Sequence, residues 1–228
     1  MIARPEVWVL ELAARFWAEV GHEPGFPRDL RDATWNFPDL HVKEILNLSA
    51  ATVAQEFARH NVPCAPLAED RQFYGCFGAR RGVGVILVDP TLPADELRFT
   101  FAHELAHFLR DCREARRRAV ARFGTGILDV LDGNRPATPM ERLAGALRGV
   151  TIGSHTHFLE RDRWGRVVDE ATWEAEEGAD RLAFELLAPF DAVDPEAAPS
   201  RAALVSRLIS VFGLPTVPAE KYAILLRY

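Results

Sequence analysis

Two histidines lie four positions apart in the segment RFTFAHELAHFLRD (residues 98–111), and a glutamate directly follows the first one. Residues four apart lie on one face of an α-helix, so the imidazoles of His103 and His107 can reach a single metal ion. The spacing H-E-x-x-H is typical of zinc hydrolases, in which both histidines bind the ion and the glutamate is the general base. The segment therefore predicts a metal-dependent hydrolase with His103 and His107 as ligands and Glu104 as catalytic base.

The residues around this motif are mostly apolar, which predicts that its helix is buried. They are Phe99, Phe101, Ala102, Leu105, Ala106, Phe108 and Leu109. The alternative interpretation is a pair of exposed histidines on a helix surface, and it does not account for these neighbours. Buried imidazoles need polar partners, so the apolar surroundings favour the metal site.

A catalytic zinc ion takes three protein ligands and keeps one position open, so a third ligand must come from another element. The segment EEGADRLAFELLAP (residues 176–189) begins with two acids four apart, Glu176 and Asp180, on one helical face. We expect Glu176 to bind the metal, with Glu177 and then Glu174 as alternatives. Asp180 would accept the outer N–H of a ligand histidine and so fix its tautomer. A solvated acidic face is the competing interpretation, but the apolar run after Asp180 indicates that this face turns inward.

Three further residues are candidates for stabilising an oxyanion or contacting substrate, which is a role that Tyr, His or Arg often has near a catalytic metal. Tyr74 lies in a β-rich segment, and His155 and His157 alternate along a predicted strand. For the two histidines, exposed strand positions are the favoured interpretation, and a second metal site or a role in catalysis is the alternative.

The elements that must position these groups form a mixed pattern, which predicts an α+β fold. Apolar periodicity predicts helices over residues 5–20, 49–60 and 95–110, and again over about 140–149, 172–188, 200–211 and 216–227. A continuation of the third helix as far as 124 is also compatible with the sequence. Two β-rich segments within residues 72–89 flank the sequence RRG, a plausible hairpin turn. Residues 124–139 are predicted to be a loop, and two strands are predicted to turn at Asp162 to Gly165.

Composition and charge exclude some classes of function. Hydrophobic residues make up 48% of the 228 positions and the net charge is -6, so a dominant nucleic-acid surface is not expected. The five arginines of REARRRAVAR (113–122) are interpreted as a solvated helix face, with docking of an acidic partner or nucleic acid as the alternative. The start lacks the pattern of a secretory signal, and the longest apolar run is too short for a bilayer. We therefore expect a cytoplasmic location without a membrane partner.

The C-terminal helices have a helix-turn-helix rhythm. A DNA-reading module would carry several basic residues on its second helix, and here there are only Lys221 and Arg227. We interpret these helices as packing or partner-docking elements.

The motif residues together resemble the ImmA/IrrE family of metallopeptidases. The resemblance covers residues 82–111 and 176–189. In the first segment, Arg98, Phe99, Thr100, Ala102, His103, Glu104 and His107 match the family pattern; in the second, Glu176, Ala179, Asp180, Ala183, Leu186, Leu187 and Pro189 match. Leu182 stands where the family usually has Phe, and Ala188 replaces a residue that is commonly larger.

This resemblance implies a zincin-like fold, in which a small β-sheet packs on the H-E-x-x-H helix with additional N- and C-terminal helices. Residues 1–228 would form one domain with an insertion at about 111–170, because 68 residues separate His107 from Glu176, and with a C-terminal helical segment at about 190–228. It also implies one Zn²⁺ per chain, with Mn²⁺ as an alternative. Family members cleave transcriptional repressors, often helix-turn-helix proteins encoded nearby, in stress or mobile-element responses.

Three hypotheses follow from the sequence. The first is a zinc-dependent endopeptidase that acts on a protein regulator. The second is a non-catalytic, metal-stabilised binding module that regulates a partner; it gives Glu104 no role, and structural zinc sites usually have four closed ligands, often cysteines. The third is a DNA-binding regulator with a peptidase-like core, which the acidic net charge disfavours.

Overall fold

The computed structural model describes residues 2–64, 71–143, 154–157 and 170–227. Contacts between Cα atoms group the chain into two compact units. One comprises Met1–Asn36, Leu92–His103 and Arg161–Tyr228, and the other comprises Phe37–Thr91 and Glu104–Glu160. The division falls inside the helix that carries the two histidines.

The described elements confirm an α+β architecture. The helices are α1 (Val7–Val20), α2 (Leu30–Thr34), α3 (Ala50–Arg59), α4 (Ala94–His107), α5 (Ala115–Phe123), α6 (Leu128–Leu131), α7 (Pro139–Leu143), α8 (Glu170–Leu187), α9 (Phe190–Val193), α10 (Arg201–Ser210) and α11 (Thr216–Leu226). A π-helical turn spans Phe108–Glu114, and a 3₁₀ turn spans Thr125–Ile127. The strands are β1 (Leu40–Glu44), β2 (Gly75–Arg80), β3 (Val83–Val88) and β4 (Ser154–His157).

These four strands form one sheet in the order β1-β3-β2-β4. Strand β1 runs parallel to β3, whereas β2 is antiparallel to both β3 and β4. The predicted hairpin is confirmed, because β2 and β3 are joined by Arg81 and Gly82, both at positive φ (53° and 80°). A two-residue turn with positive φ at both positions matches the twist of the flanking strands.

The helix that carries the histidines continues, as the sequence suggested, as far as Gly124. After α4 the backbone widens into the π-helical turn, then returns to α-helix in α5, which ends at Gly124 with φ 76°. Phe108, the first residue of the π-helical turn, packs on the sheet: a Cβ at Gly84 would lie 2.6 Å from its ring. The residue after His107 is thus fixed against β3.

In the unit that includes Leu92–His103, a column of aromatic rings joins three helices. Phe99 of α4 lies 5.6 Å from Phe184 of α8, measured between ring centroids, and Phe184 stacks on Tyr222 of α11 at 4.6 Å. The Tyr222 hydroxyl donates a hydrogen bond to the carbonyl of Ala188. Phe184 and Tyr222 are buried, and Phe99 is partly buried. Such aromatic packing holds α4, α8 and α11 together.

Some sequence predictions need correction. Residues 124–139 are not simply a loop, because they contain the 3₁₀ turn and α6, whose Ile127, Val130 and Leu131 are buried against α5. Strand β1 and the short helices α2 and α9 were not predicted. In β1 only Leu40 is buried, so the strand lacks an alternating pattern. The predicted turn at Asp162 to Gly165 and most of the helix predicted at 140–149 lie outside the described residues.

Three arginines of the arginine-rich segment (113–122) form ion pairs with neighbouring carboxylates. Arg113 pairs with Asp39 at 3.0 Å. Arg116 pairs with Asp132 at 2.7 Å, and Arg117 pairs with Glu114 at 2.7 Å. These pairs favour the interpretation as a charged helix face over a docking surface. Among the described residues, no helix is both long and apolar enough to span a bilayer.

Candidate metal centre

Helix α4 carries both histidines on one face, one turn apart. The side chain of His107 is fully buried and that of His103 is 15% exposed. Six of the seven apolar neighbours identified in the sequence are buried, among them Leu105 and Phe108, and the seventh, Phe99, is partly buried. An imidazole in such surroundings must find polar partners, and both histidines do.

Each histidine uses its Nδ1 atom for a carboxylate. His103 Nδ1 lies 2.8 Å from Asp180 Oδ1, and His107 Nδ1 lies 2.9 Å from Asp111 Oδ2. A carboxylate next to Nδ1 favours the tautomer with the proton on that nitrogen, which leaves the Nε2 lone pair available to a metal ion. Both rings therefore have the arrangement expected of metal ligands.

The third donor comes from α8. Glu176 Oε2 lies 3.4 Å from His103 Nε2. One ligand atom from each of His103, His107 and Glu176 lies within 4.8 Å of the others. Donors bound tetrahedrally at about 2.0–2.2 Å from zinc are about 3.4 Å apart, and the distance between His103 Nε2 and Glu176 Oε2 matches this value. These three residues form a group that could hold a metal ion.

The neighbouring acids of α8 have different roles. Glu177 accepts a hydrogen bond from Lys221 Nζ, and the Glu174 side chain is exposed. Among the described residues, the group that could bind metal therefore contains Glu176, which the sequence favoured, and neither of its two alternatives.

Asp180 receives a second hydrogen bond, from Lys221 Nζ to Oδ2 at 2.6 Å. Burial alone would raise the pKa of Asp180, but the hydrogen bond from His103 and the charge of Lys221 outweigh it and hold the pKa below its usual value. Burial would likewise lower the pKa of Lys221, yet Asp180 and Glu177 raise it. Both groups are therefore charged at neutral pH.

Glu104 follows His103 in α4 and its side chain is 8% exposed. Cys76 of β2, whose thiol is buried, belongs to the same compact unit as Glu104. Burial raises the pKa of Cys76 well above its usual value, and the negative charge of Glu104 raises it further. Among the described residues, the group that could hold a metal ion does not include Cys76.

The three candidates for oxyanion stabilisation gain no support. Tyr74 is 62% exposed. Its backbone carbonyl accepts a hydrogen bond from the backbone N–H of Asp89. His155 and His157 lie on β4, but their side chains are outside the described part of the chain.

Sequence reasoning missed two residues of the centre. Asp111 is four positions after His107, so the same helical spacing that identified the histidines could have identified it. Lys221 was considered only as a DNA contact, because nothing in the sequence connects α11 with α8. No family model, no curated protein and no solved structure matches this chain.

Proposed function

We propose that this protein is a zinc-dependent endopeptidase of the ImmA/IrrE type. The observation that carries the proposal is the convergence of His103, His107 and Glu176 within 4.8 Å. Two imidazole nitrogens and one carboxylate oxygen are a donor set that suits zinc, with manganese as the less favoured alternative. With three protein donors, a fourth coordination position stays open, as a catalytic site requires.

In this proposal, different residues of the chain bind the metal, orient its ligands and transfer the proton. His103, His107 and Glu176 would hold the ion, and Asp180 and Asp111 orient the two imidazoles. When bound, zinc supplies Lewis acidity, which makes water a stronger acid and polarises a carbonyl group. Glu104 accepts a proton from the attacking water on a carboxylate oxygen and then delivers it to the nitrogen of the departing amine.

A protein substrate is the second part of the proposal. By the resemblance of residues 82–111 and 176–189, the substrate is a transcriptional repressor of the helix-turn-helix type, cleaved in the cytoplasm during a stress or mobile-element response. The net charge of -6 and the engagement of the arginine-rich segment with acids support a protein partner over direct nucleic-acid binding.

Glu104→Gln is the decisive change, because it keeps the size of the buried side chain but removes its ability to accept a proton. We expect the zinc content to stay at one per chain while cleavage of a helix-turn-helix repressor that the unmodified protein cleaves falls by at least about 100-fold. Zinc content is measured by elemental analysis and cleavage by mass spectrometry of the products.

Glu174→Gln is the matched control, since it makes the same chemical change at an exposed position of α8. It should leave zinc content and cleavage unchanged. If Glu104→Gln cleaves as fast as the unmodified protein, Glu104 is not the base. If the zinc-loaded protein binds the repressor without cleaving it, the non-catalytic binding module replaces the endopeptidase.

A further inference from the structure

We propose that Lys221 is a positioning residue for the metal centre: by clamping Asp180 from α11, it fixes the orientation of His103 and so sets the affinity for the ion. This inference rests on the metal centre of the proposed function, but it does not require that the protein cleaves a peptide bond. It concerns a residue outside both segments that carry the family resemblance.

The geometry is a chain of three side chains from three helices. Lys221 Nζ donates to Asp180 Oδ2 at 2.6 Å, and the other oxygen, Oδ1, lies 2.8 Å from His103 Nδ1. A carboxylate held at both oxygens cannot rotate without breaking one of these contacts. The plane of the Asp180 carboxylate, and with it the His103 ring, is therefore determined partly by Lys221.

Lys221 itself is held in place by its helix. Its neighbour Tyr222 is 4% exposed, stacks on Phe184 of α8, and donates a hydrogen bond to the Ala188 carbonyl. The ammonium group of Lys221 is thus delivered to the acidic face of α8 by packing that does not involve the metal. Only about a third of the Lys221 side chain is exposed.

The same ammonium group has a second effect, on the choice of ligand. It donates to Glu177, the residue next to the ligand Glu176. A carboxylate engaged by a lysine is less available to a metal ion, so Lys221 favours Glu176 as the third donor. Removal of Lys221 would release two negative charges, on Glu177 and Asp180, beside the site.

Two consequences of removing Lys221 have opposite signs. Loss of the ammonium group removes a positive charge that repels the metal cation, which would tighten metal binding. Loss of the clamp on Asp180 disorders the His103 ring and weakens binding, as is usual when a partner behind a ligand histidine is removed, by roughly 10–100-fold. The proposal predicts that the second effect dominates, so the sign of the change separates a positioning role from a simple charge effect.

The test is the zinc dissociation constant, measured by competition with a chromophoric chelator for the full chain and its Lys221 variants. We expect Lys221→Met to weaken zinc binding by about tenfold. Lys221→Arg keeps the charge and the donors, and should recover most of the loss. The matched control is Lys43→Met, which removes another partly exposed lysine paired with an acid, Glu56, and should leave zinc affinity unchanged.

A second measurement reports orientation directly. In long-range nitrogen–proton spectra of the zinc-loaded protein, the His103 imidazole should show one tautomer, protonated at Nδ1. In Lys221→Met the His103 signals should shift or broaden, while those of His107, whose partner is Asp111, stay unchanged. Lys221→Gln keeps a neutral N–H donor and serves for both measurements if the methionine variant does not fold.

Weaker zinc binding with altered His103 signals, rescued by arginine, supports the proposal. Unchanged or tighter binding in the folded methionine or glutamine variant overturns it, and so does a wild-type chain that binds no zinc. If wild-type protein binds zinc and responds to Lys221 as expected but cleaves nothing, the endopeptidase fails and the positioning role of Lys221 stands.

Discussion

Helix α4 orients its two histidines in two different ways. His107 relies on Asp111, four residues later in the same helical segment, and Asp111 Oδ1 in turn lies 3.5 Å from Arg110 Nε. His103 relies on Asp180, 77 positions away on α8, which is clamped by Lys221 of α11. Each imidazole therefore contacts a carboxylate, and each carboxylate contacts a cation. The local set is His107, Asp111 and Arg110, which are close in sequence. The distant set is His103, Asp180 and Lys221, which come from three helices.

The difference shows how much of a metal centre can form before the chain is fully folded. The local set needs only the α4 helix and the turn that follows it, and residues four apart meet as soon as that helix forms. The distant set requires α8 and α11 to be packed in place. We infer that the distant set makes metal affinity depend on tertiary packing, whereas the local set supplies a constant contribution.

The largest effects are expected when each of the two carboxylates is neutralised in turn. Asp180→Asn and Asp111→Asn should each weaken zinc binding by roughly 10–100-fold, because an amide neither raises the basicity of the imidazole nor fixes its tautomer as well. The two changes should differ in stability. Asp180→Asn leaves Lys221 beside a neutral group and should lower the melting temperature of the metal-free protein more than Asp111→Asn does.

Zinc affinity and the thermal unfolding of the metal-free chain measure these two effects. Asp95→Asn, at the start of α4, is a control for changing an aspartate on this helix away from the histidines. Equal melting temperatures for the two variants would mean that the distant carboxylate is no more dependent on tertiary packing than the local one.

A third buried carboxylate, also on α8, differs from Asp180 in its pKa. Glu185 lies on α8, five residues after Asp180, and accepts a hydrogen bond from the backbone N–H of Phe190. Burial raises the pKa of Glu185 to about 7, whereas the pKa of Asp180 is held low by its partners. The folded protein thus binds the Glu185 proton up to about pH 7, while the unfolded chain releases it near its ordinary value of 4.5.

Between these two pH values the folded state binds more protons than the unfolded state, so stability falls as pH rises from about 4.5 to about 7. Glu185→Gln removes the titration and should raise the free energy of unfolding above pH 7 by on the order of 1–2 kcal/mol. Urea unfolding of the metal-free protein at pH 5 and pH 8 measures the effect. The gain should be absent or much smaller at pH 5, and a gain of equal size at both pH values would refute the assignment.

The sequence predicted the local features of this molecule better than the distant ones. Helices α1, α3, α4, α8, α10 and α11 and the β2–β3 hairpin follow from apolar periodicity and turn residues, and the structure confirms them. Strand β1 could not be predicted because only Leu40 faces the core, and its identity as a strand depends on pairing with β3. Periodicity carries no information about such partners.

The candidate site follows the same rule, with one exception. The positions of His103 and His107 on one face follow from helical spacing alone, and Asp111 could have been found in the same way. Lys221 could not be predicted, because it reaches α8 only through the packing of α11. The pair Glu176 and Asp180 is the exception, because their spacing of four on one helical face, together with the resemblance of residues 176–189 to a known family, identified both without any tertiary information.

The smallest effect that we predict concerns the cation of the local set. Arg110 Nε lies 3.5 Å from Asp111 Oδ1, whereas Lys221 Nζ lies 2.6 Å from Asp180 Oδ2, so the pair behind His107 is the longer of the two. Ion pairs of this kind contribute about 0.2–1 kcal/mol, which corresponds to less than about fivefold in a binding constant. Arg110→Met should therefore weaken zinc binding by less than Lys221→Met does, because helix geometry alone keeps Asp111 beside His107. A larger loss for Arg110→Met in the same chelator competition would mean that the local carboxylate also needs a clamp, and the contrast between the two histidines would disappear.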